Sequence, residues 1–345
     1  MNISSKEIIP QIANIPQNLN KEIPRSAFEV KENLGSGNFG SVHKGEIQCN
    51  MASNSKLPVA IKSLQNLSGA REIQNFLYEI KIMGYIKSHI NLVNMVGSCT
   101  SDLEGLGDLW LLIEFCEYGD LKKYLFENKA EILSGQKHDS RILMLWAYHI
   151  SKGMHYLASL FIMHGDLVAR NVLLHSNPLR NGYPIAKVAD FGLSKHLYYD
   201  TTYEKENRLE VPWKWMAFEY LTDDYFTLKS DVWSFMVLIW EMFSFAKSPY
   251  GHCSYGEVLQ KLENGYRLPF PKGLENVTTW APEDMYNKMS KLCFAADPKD
   301  RGSFEEVVAF LETELTEEEL SDYVEQSASY LSTNVDCYPR LTCTS

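Results

Sequence analysis

The feature that most constrains this chain is a change of hydrophobic period along its length. From Phe28 to Ile61 apolar and polar residues alternate between glycines, whereas beyond residue 141 apolar residues recur at helical spacing. A period of two belongs to strands and one of 3.6 to helices, so sheet comes first and helices follow. Between the two, residues 70–86 carry a helical stripe of Phe76, Ile80 and Met83, and Leu109–Phe115 return to strand character. Helices are predicted over 141–160, 229–244, 254–263, 284–295 and 304–314. The last opens with Ser303 and, three residues on, Glu306, the pattern of a capping box. This order implies an α+β fold of two lobes with a ligand cleft between them. Residues 1–24, with Pro10, Pro16 and Pro24, read as a polar linker. Residues 25–115 form the sheet-rich lobe and 116–315 the helical one, and 316–345 read as a flexible acidic and polar tail. Gln48–Leu57 is expected to be a hairpin loop, and Glu127–Ser140 a loop between helices.

Charge and cysteine usage narrow the partners. Against 33 Lys and Arg stand 44 Asp and Glu, a net charge of −11, which argues against nucleic acid as the main partner. Apolar residues make up 45%, enough for a packed core. Seven cysteines without a C-x-x-C pair read as reduced thiols, and nine histidines without ligand spacing give no structural zinc site. No apolar run reaches the roughly 18–20 residues of a membrane span. The start, Met1-Asn2-Ile3-Ser4-Ser5-Lys6, lacks a signal-peptide profile and the glycine that myristoylation needs. The expected location is cytoplasmic, with membranes met through partners or through a missing segment.

Three segments carry chemistry. The run Gly35-Ser36-Gly37-Asn38-Phe39-Gly40 has the G-x-G-x-x-G spacing of a phosphate loop, which by itself also suits a dinucleotide-binding turn. There the last glycine would open a helix. Here Ser41–Ile47 alternates like a strand, which favours a glycine hairpin whose backbone N–H groups approach phosphates. In Val59-Ala60-Ile61-Lys62, period two puts Ala60 and the Lys62 ammonium on one face. Glu79 lies on the apolar side of its predicted helix, where a carboxylate is costly unless a cation meets it, and Lys62 is the natural partner. The third segment is His164-Gly165-Asp166-Leu167-Val168-Ala169-Arg170-Asn171, followed by Asp190-Phe191-Gly192. A carboxylate to accept a proton, with an amide and a second carboxylate as oxygen ligands for Mg²⁺, is the set that phosphoryl transfer requires.

In this order the motifs resemble those of the protein-kinase family over roughly residues 28 to 314. The resemblance implies the bilobal kinase fold, with an antiparallel sheet and one helix in the N-lobe and a mainly helical C-lobe. It also implies ATP and Mg²⁺ as cofactors. Asp166 would be the catalytic base, Lys62 and Glu79 the phosphate-orienting pair, Arg170 a charge-balancing group, and Asn171 and Asp190 the metal ligands. Leu34, Gly35, Gly37, Phe39, Gly40, Val42, Ala60 and Leu173 would surround the nucleotide. Ile113 would be the gatekeeper, and the backbone of Glu114 to Cys116 would bond adenine. Val168 stands where serine/threonine kinases usually carry Lys. Arg170 and Val211-Pro212-Trp213-Lys214-Trp215-Met216-Ala217 resemble tyrosine kinases of receptor type. Ser230–Phe235 and Trp240-Glu241 also resemble tyrosine kinases of receptor type. Glu114–Leu121 and Ile23-Pro24-Arg25 are similar to receptors of the platelet-derived growth factor and stem cell factor type. The chain as a whole resembles the group that these form with the fibroblast growth factor receptors.

The likeness breaks in places. Gly165 replaces the arginine that normally answers an activation-loop phosphate. Phe218 replaces a proline, although Glu219 can still pair with Arg301 as the resemblance implies. Tyr198, Tyr199 and Tyr203 are autophosphorylation candidates, and the expected partners are tyrosine-containing proteins, a second copy of the chain and phosphotyrosine-reading adaptors. The alternative is a pseudokinase scaffold whose tail tyrosines, as in Tyr323-Val324-Glu325-Gln326, serve as docking points.

Overall fold

The computed structural model describes residues 21–37, 40–50, 55–64, 70–100, 109–135, 139–177, 183–196, 211–223, 225–274 and 280–337. They divide into two compact units. One comprises residues up to Cys116, Phe191–Ser194 and Ser327 onward; the other comprises Glu117–Asp190 and Lys195–Gln326.

The first unit is built on an antiparallel sheet of β1 (Phe28–Gly37), β2 (Gly40–Asn50), β3 (Ser55–Leu64), β4 (Met95–Cys99) and β5 (Leu109–Glu114), in the order β1-β2-β3-β5-β4. Alternation along these strands sends Phe28, Ile47, Val59, Ile61, Trp110 and Leu112 into one apolar cluster. Each such side chain contributes about 1.5–3 kcal/mol by leaving water. Helix α1 (Ala70–Tyr85) carries the expected stripe, with Phe76, Ile80 and Met83 all buried. The packed structure begins earlier than the composition suggests. Ile23 is buried and its N–H donates to Ser98 O, while the Glu22 carboxylate accepts from the Thr100 N–H and the Ser98 and Thr100 hydroxyls. Residues 21–24 are therefore part of the fold rather than of a linker.

The second unit contains α2 (Leu121–Glu127), α3 (Lys129–Ser134), α4 (Ile142–Ser159), and the short strands β6 (Ile162–Met163), β7 (Val172–His175), β8 (Ile185–Val188) and β9 (Lys195–His196). Helices α5 (Phe218–Asp223), α6 (Leu228–Phe243), α7 (Tyr255–Glu263), α8 (Pro282–Cys293) and α9 (Phe304–Glu314) complete it. Helices α4 and α6 are apolar on nearly every side and form its centre, with Trp146, Trp233 and Phe235 fully enclosed. The Ser303–Glu306 capping box opens α9 as expected.

Two loop expectations are corrected. The segment Glu127–Ser140 holds a helical turn, α3, pinned by buried Ile132 and closed by Gly135 at φ 69°. The supposed flexible tail is helix α10 (Glu317–Cys337). It starts at a reciprocal cap in which Glu319 accepts from Thr316 N–H and Thr316 accepts from Glu319 N–H. Arg141 fixes it further, donating to both Glu319 oxygens at 2.6 and 2.7 Å.

Candidate active site

In the first unit, the antiparallel register sets Val42 opposite Lys62 and Ala60 opposite Ile113. Opposed residues share a face, so Val42, Ala60, Lys62 and Ile113 form one surface of the sheet. Gly35 pairs with Val42 and Gly37 with Gly40, which makes the glycine-rich run a β-hairpin and not the start of a helix. Gly40 sits at φ 117°, and a Cβ there would run into the Ser63 carbonyl, so a larger residue is excluded. Leu34 lies exposed at the outer part of this hairpin. Phe39 falls outside the described residues, as do Tyr198, Tyr199 and Tyr203.

Lys62 Nζ donates to both Glu79 oxygens, at 2.7 and 2.8 Å, with both residues buried. Desolvation offsets most of the Coulomb gain of such a pair, so its net stability is small. What it does is hold an ammonium at one point of the sheet surface. At the end of β5, Glu114 N–H donates to Asn94 O at 3.0 Å, which commits the Glu114 amide. Cys116, two residues on, is buried.

In the second unit the His164–Asn171 loop is fixed from several sides. Asp231 of α6, itself buried, accepts from His164 N–H at 2.7 Å and Gly165 N–H at 3.0 Å. Glu241 of the same helix accepts from Ala169 N–H and Trp215 Nε1, each at 3.0 Å. Burial raises the pKa of both carboxyls, against the N–H groups that favour their charged forms. His164 Nδ1 accepts from Asp166 N–H at 3.2 Å, which leaves Nε2 protonated and donating to Ala189 O at 3.0 Å. The loop is thereby tied to the chain just before Asp190.

Asp166 is buried, and Arg170 donates to its two oxygens at 3.1 and 3.3 Å. Burial raises the Asp166 pKa most; the Arg170 charge opposes this, and Asp190 adds to it. Asn171 Nδ2 donates to Asp166 O at 2.9 Å, so the amide oxygen is turned to the other side. Asn171 O also accepts from Ala189 N–H at 2.8 Å. Asp190 itself has φ 62°, a left-handed conformation that costs a non-glycine residue about 1 kcal/mol. Leu173 lies on β7, paired with Lys187 of β8 and bridged to Asp120. Thus Asp166, Arg170, Asn171 and Asp190 come together in one unit, and Lys62, Glu79, Val42 and Ala60 in the other.

A hard oxygen set of one amide and one carboxylate suits Mg²⁺ that keeps most of its ligands on phosphates and water. Among the described residues no group of three or more His, Cys, Asp or Glu gathers into a protein-only metal cage. Asp231 and Glu241 position the loop, and reasoning from the motifs treated them only as likeness. The readable signal was two carboxylates on a helix otherwise apolar all round. Gly165 has φ 78°, where a glycine is unstrained.

Glu219 and Arg301 pair as expected, at 2.8 and 3.0 Å. The docking-point reading is corrected for Tyr323 and Tyr330, which are each only 8% exposed, while Tyr338 lies outside the described residues. Tyr323 stands edge-on to Tyr148, with ring centroids 5.0 Å apart, and tilted over His149.

Residues 28–311 match the family described as protein tyrosine and serine/threonine kinase. A fibroblast growth factor receptor of Halocynthia roretzi is 31% identical over 91% of the chain and 42% of its own length. The tyrosine kinase receptor Cad96Ca of Drosophila melanogaster is 32% identical over 88% of the chain and 38% of its own length. The tyrosine-protein kinase transforming protein Abl of Abelson murine leukemia virus is 36% identical over 92% of the chain and 38% of its own length. The chain therefore spans about two fifths of the length of these relatives. No helix of the described residues is long and apolar enough to cross a membrane.

Proposed function

This chain belongs to the protein tyrosine and serine/threonine kinase family, among its tyrosine kinases, and from that premise we propose that it transfers the γ-phosphoryl group of ATP to protein tyrosine hydroxyls. The phenol oxygen attacks the γ-phosphorus as the bond to the β-phosphate oxygen breaks, ADP leaves, and Asp166 receives the phenolic proton. Burial supports that role, because a carboxyl raised above its ordinary pKa is a better proton acceptor when ionised. Arg170 holds the carboxylate in one orientation and balances charge beside the transferred group. Lys62, held by Glu79, orients the α- and β-phosphates, and the Gly35–Gly40 hairpin covers them. Val42, Ala60 and Leu34 of the first unit would cover adenine, with the Glu114 and Cys116 backbone bonding its edge. Asn171 and Asp190 would hold Mg²⁺, which supplies positive charge against the phosphate oxygens. Most of the acceleration comes from positioning and electrostatics.

The observation that carries the reading is the pinning of Asp166 by Arg170, Asn171, His164 and, through the loop backbone, Asp231. We further read the chain as an autophosphorylating cytoplasmic signalling enzyme, with Tyr198, Tyr199 and Tyr203 as its first targets and phosphotyrosine-reading adaptors downstream. The test is to offer ATP and Mg²⁺ with a Glu/Tyr copolymer beside a Ser/Thr peptide. Label on tyrosine alone is expected; label on serine, or ATP binding without transfer to either, overturns the proposal.

A further inference from the structure

We propose that a cavity within the second unit, between the start of α4 and the start of α10, binds a small organic cation that also carries a neutral carbonyl acceptor. The site shares no residue with the catalytic set, and the inference does not depend on the kinase reading.

The cavity holds about 300 Å³, at the lower end of the roughly 300–1,000 Å³ of small-ligand pockets. Ile142 and Leu145 of α4 give it an apolar wall, and His149 lines it one turn further along the same helix face. The His149 ring is only 7% exposed, and Tyr323 lies tilted over it with ring centroids 5.7 Å apart. Ala186 N–H donates to His149 Nδ1 at 3.4 Å, so the neutral ring carries its proton on Nε2. No described group accepts that proton. Trp233 Nε1 and Trp240 Nε1 are sealed in the core without a partner, whereas His149 Nε2 opens on the cavity. A buried N–H without an acceptor is costly, so a carbonyl that reaches it gains affinity.

Toward the start of both helices the lining is acidic. Among the described lining residues Asp139, Glu318, Glu319 and Asp322 face a single cation, Arg141. That guanidinium is committed, with Nε and Nη2 on Glu319 and Nη2 also on the Glu314 carbonyl. Glu318 and Asp322 stand four residues apart on α10, a like-charge spacing that weakens a helix and that a cation between them relieves. Acidic residues at a helix start are ordinary, because the N-terminal dipole favours them. What makes this cluster a site is the His149 donor, which enters the same cavity from another helix. Donor and carboxylates together select the ligand: positive charge toward the helix starts, a carbonyl oxygen on Nε2, and an alkyl chain over Ile142 and Leu145 between them. A carboxylate in place of the carbonyl would be repelled by the acidic lining.

The test titrates the full-length chain with L-argininamide, which has all three features. Agmatine keeps the amine and the guanidine but lacks the carbonyl, and L-citrullinamide keeps the carbonyl but carries a neutral urea for the guanidine. Binding is followed by NMR of protein with isotope-labelled histidine, the His149 ring signal being assigned by its loss in His149→Phe. Argininamide should saturate with a Kd of about 1 mM or tighter and shift the His149 signal. Agmatine should bind roughly three- to tenfold more weakly, the weight of one neutral hydrogen bond, and citrullinamide at least about tenfold more weakly. In His149→Phe the advantage of argininamide over agmatine should vanish, and in Asp322→Asn the preference over citrullinamide should shrink. The three ligands on the wild-type chain decide the matter by themselves if either variant fails to fold. Equal binding of all three, no saturation up to about 10 mM, or saturation that leaves the His149 signal unmoved overturns the inference.

Discussion

The Arg301 guanidinium is bonded on every side within the helical unit, and removing it should be the most damaging single change there. Its side chain is wholly enclosed. Nη1 donates to Glu219 Oε1 and to Lys229 O, each at 2.8 Å. Nη2 donates to Glu219 Oε2 at 3.0 Å and to Ala295 O at 3.1 Å, and Nε reaches Ala295 O at 3.3 Å. The guanidinium carbon also lies 5.1 Å from the centroid of the Trp233 ring. Arg301→Ala leaves buried Glu219 with the Ser230 hydroxyl, at 2.9 Å, in place of a cation, and takes a donor from the Lys229 and Ala295 carbonyls. Breaking one side of such a pair costs about 3–5 kcal/mol. At about 2–4 °C per kcal/mol for a unit of this size, the melting midpoint should fall by roughly 6–20 °C. Arg301→Lys should recover little, because a point charge cannot span two carboxylate oxygens and two carbonyls. Glu219→Leu with Arg301→Met, which removes both charges, should be at least about 2 kcal/mol less harmful than the sum of the singles. Urea unfolding followed by tryptophan fluorescence and far-UV circular dichroism measures each corner of the cycle. Additive effects, or a cost below about 1 kcal/mol for Arg301→Ala, would refute the reasoning.

Two further outcomes follow from the site and its surroundings. Gly165→Ala places a Cβ on a residue at φ 78° and should lower stability by about 1 kcal/mol, read as a shift of the urea midpoint at constant slope. His149 is held neutral, its pKa pushed down to about 3 by burial and then by the Lys187 charge. The unfolded chain takes up that proton near pH 6.5 and the folded one does not, so stability is fully present above about pH 6.5. It should fall by up to about 1.4 kcal/mol per pH unit as pH drops from there toward 3, and a wild-type curve no steeper than that of His149→Phe would contradict this.

The succession of strands and then helices, through α9, was legible because burial imposes a period, and Phe76, Ile80 and Met83 are buried as that period requires. The Lys62–Glu79 pair was legible for a related reason: a carboxylate on an apolar stripe must meet a cation. Helix α10 was not, because it is held by the polar Arg141–Glu319 pair and two tyrosines seven residues apart rather than by an apolar stripe. Its start was nevertheless written in Thr316 and Glu319, a capping box of the kind recognised at Ser303. Residues 21–24 were misassigned because one isoleucine among polar neighbours looks like linker, although Ile23 fills a gap in the sheet core. Asp231 and Glu241 stand out as two carboxylates on an apolar helix, but no local pattern reports which loop, more than sixty residues away, they bond.

Phosphoryl transfer in this chain turns on Asp166 taking the substrate proton. Turnover of a tyrosine peptide by Asp166→Asn, measured at saturating ATP beside direct titration of ATP binding, tests this most directly. A general base contributes roughly 10²–10⁴ in rate, so turnover should fall by that factor while the nucleotide still binds. A variant that keeps more than about a tenth of wild-type turnover would contradict the claim.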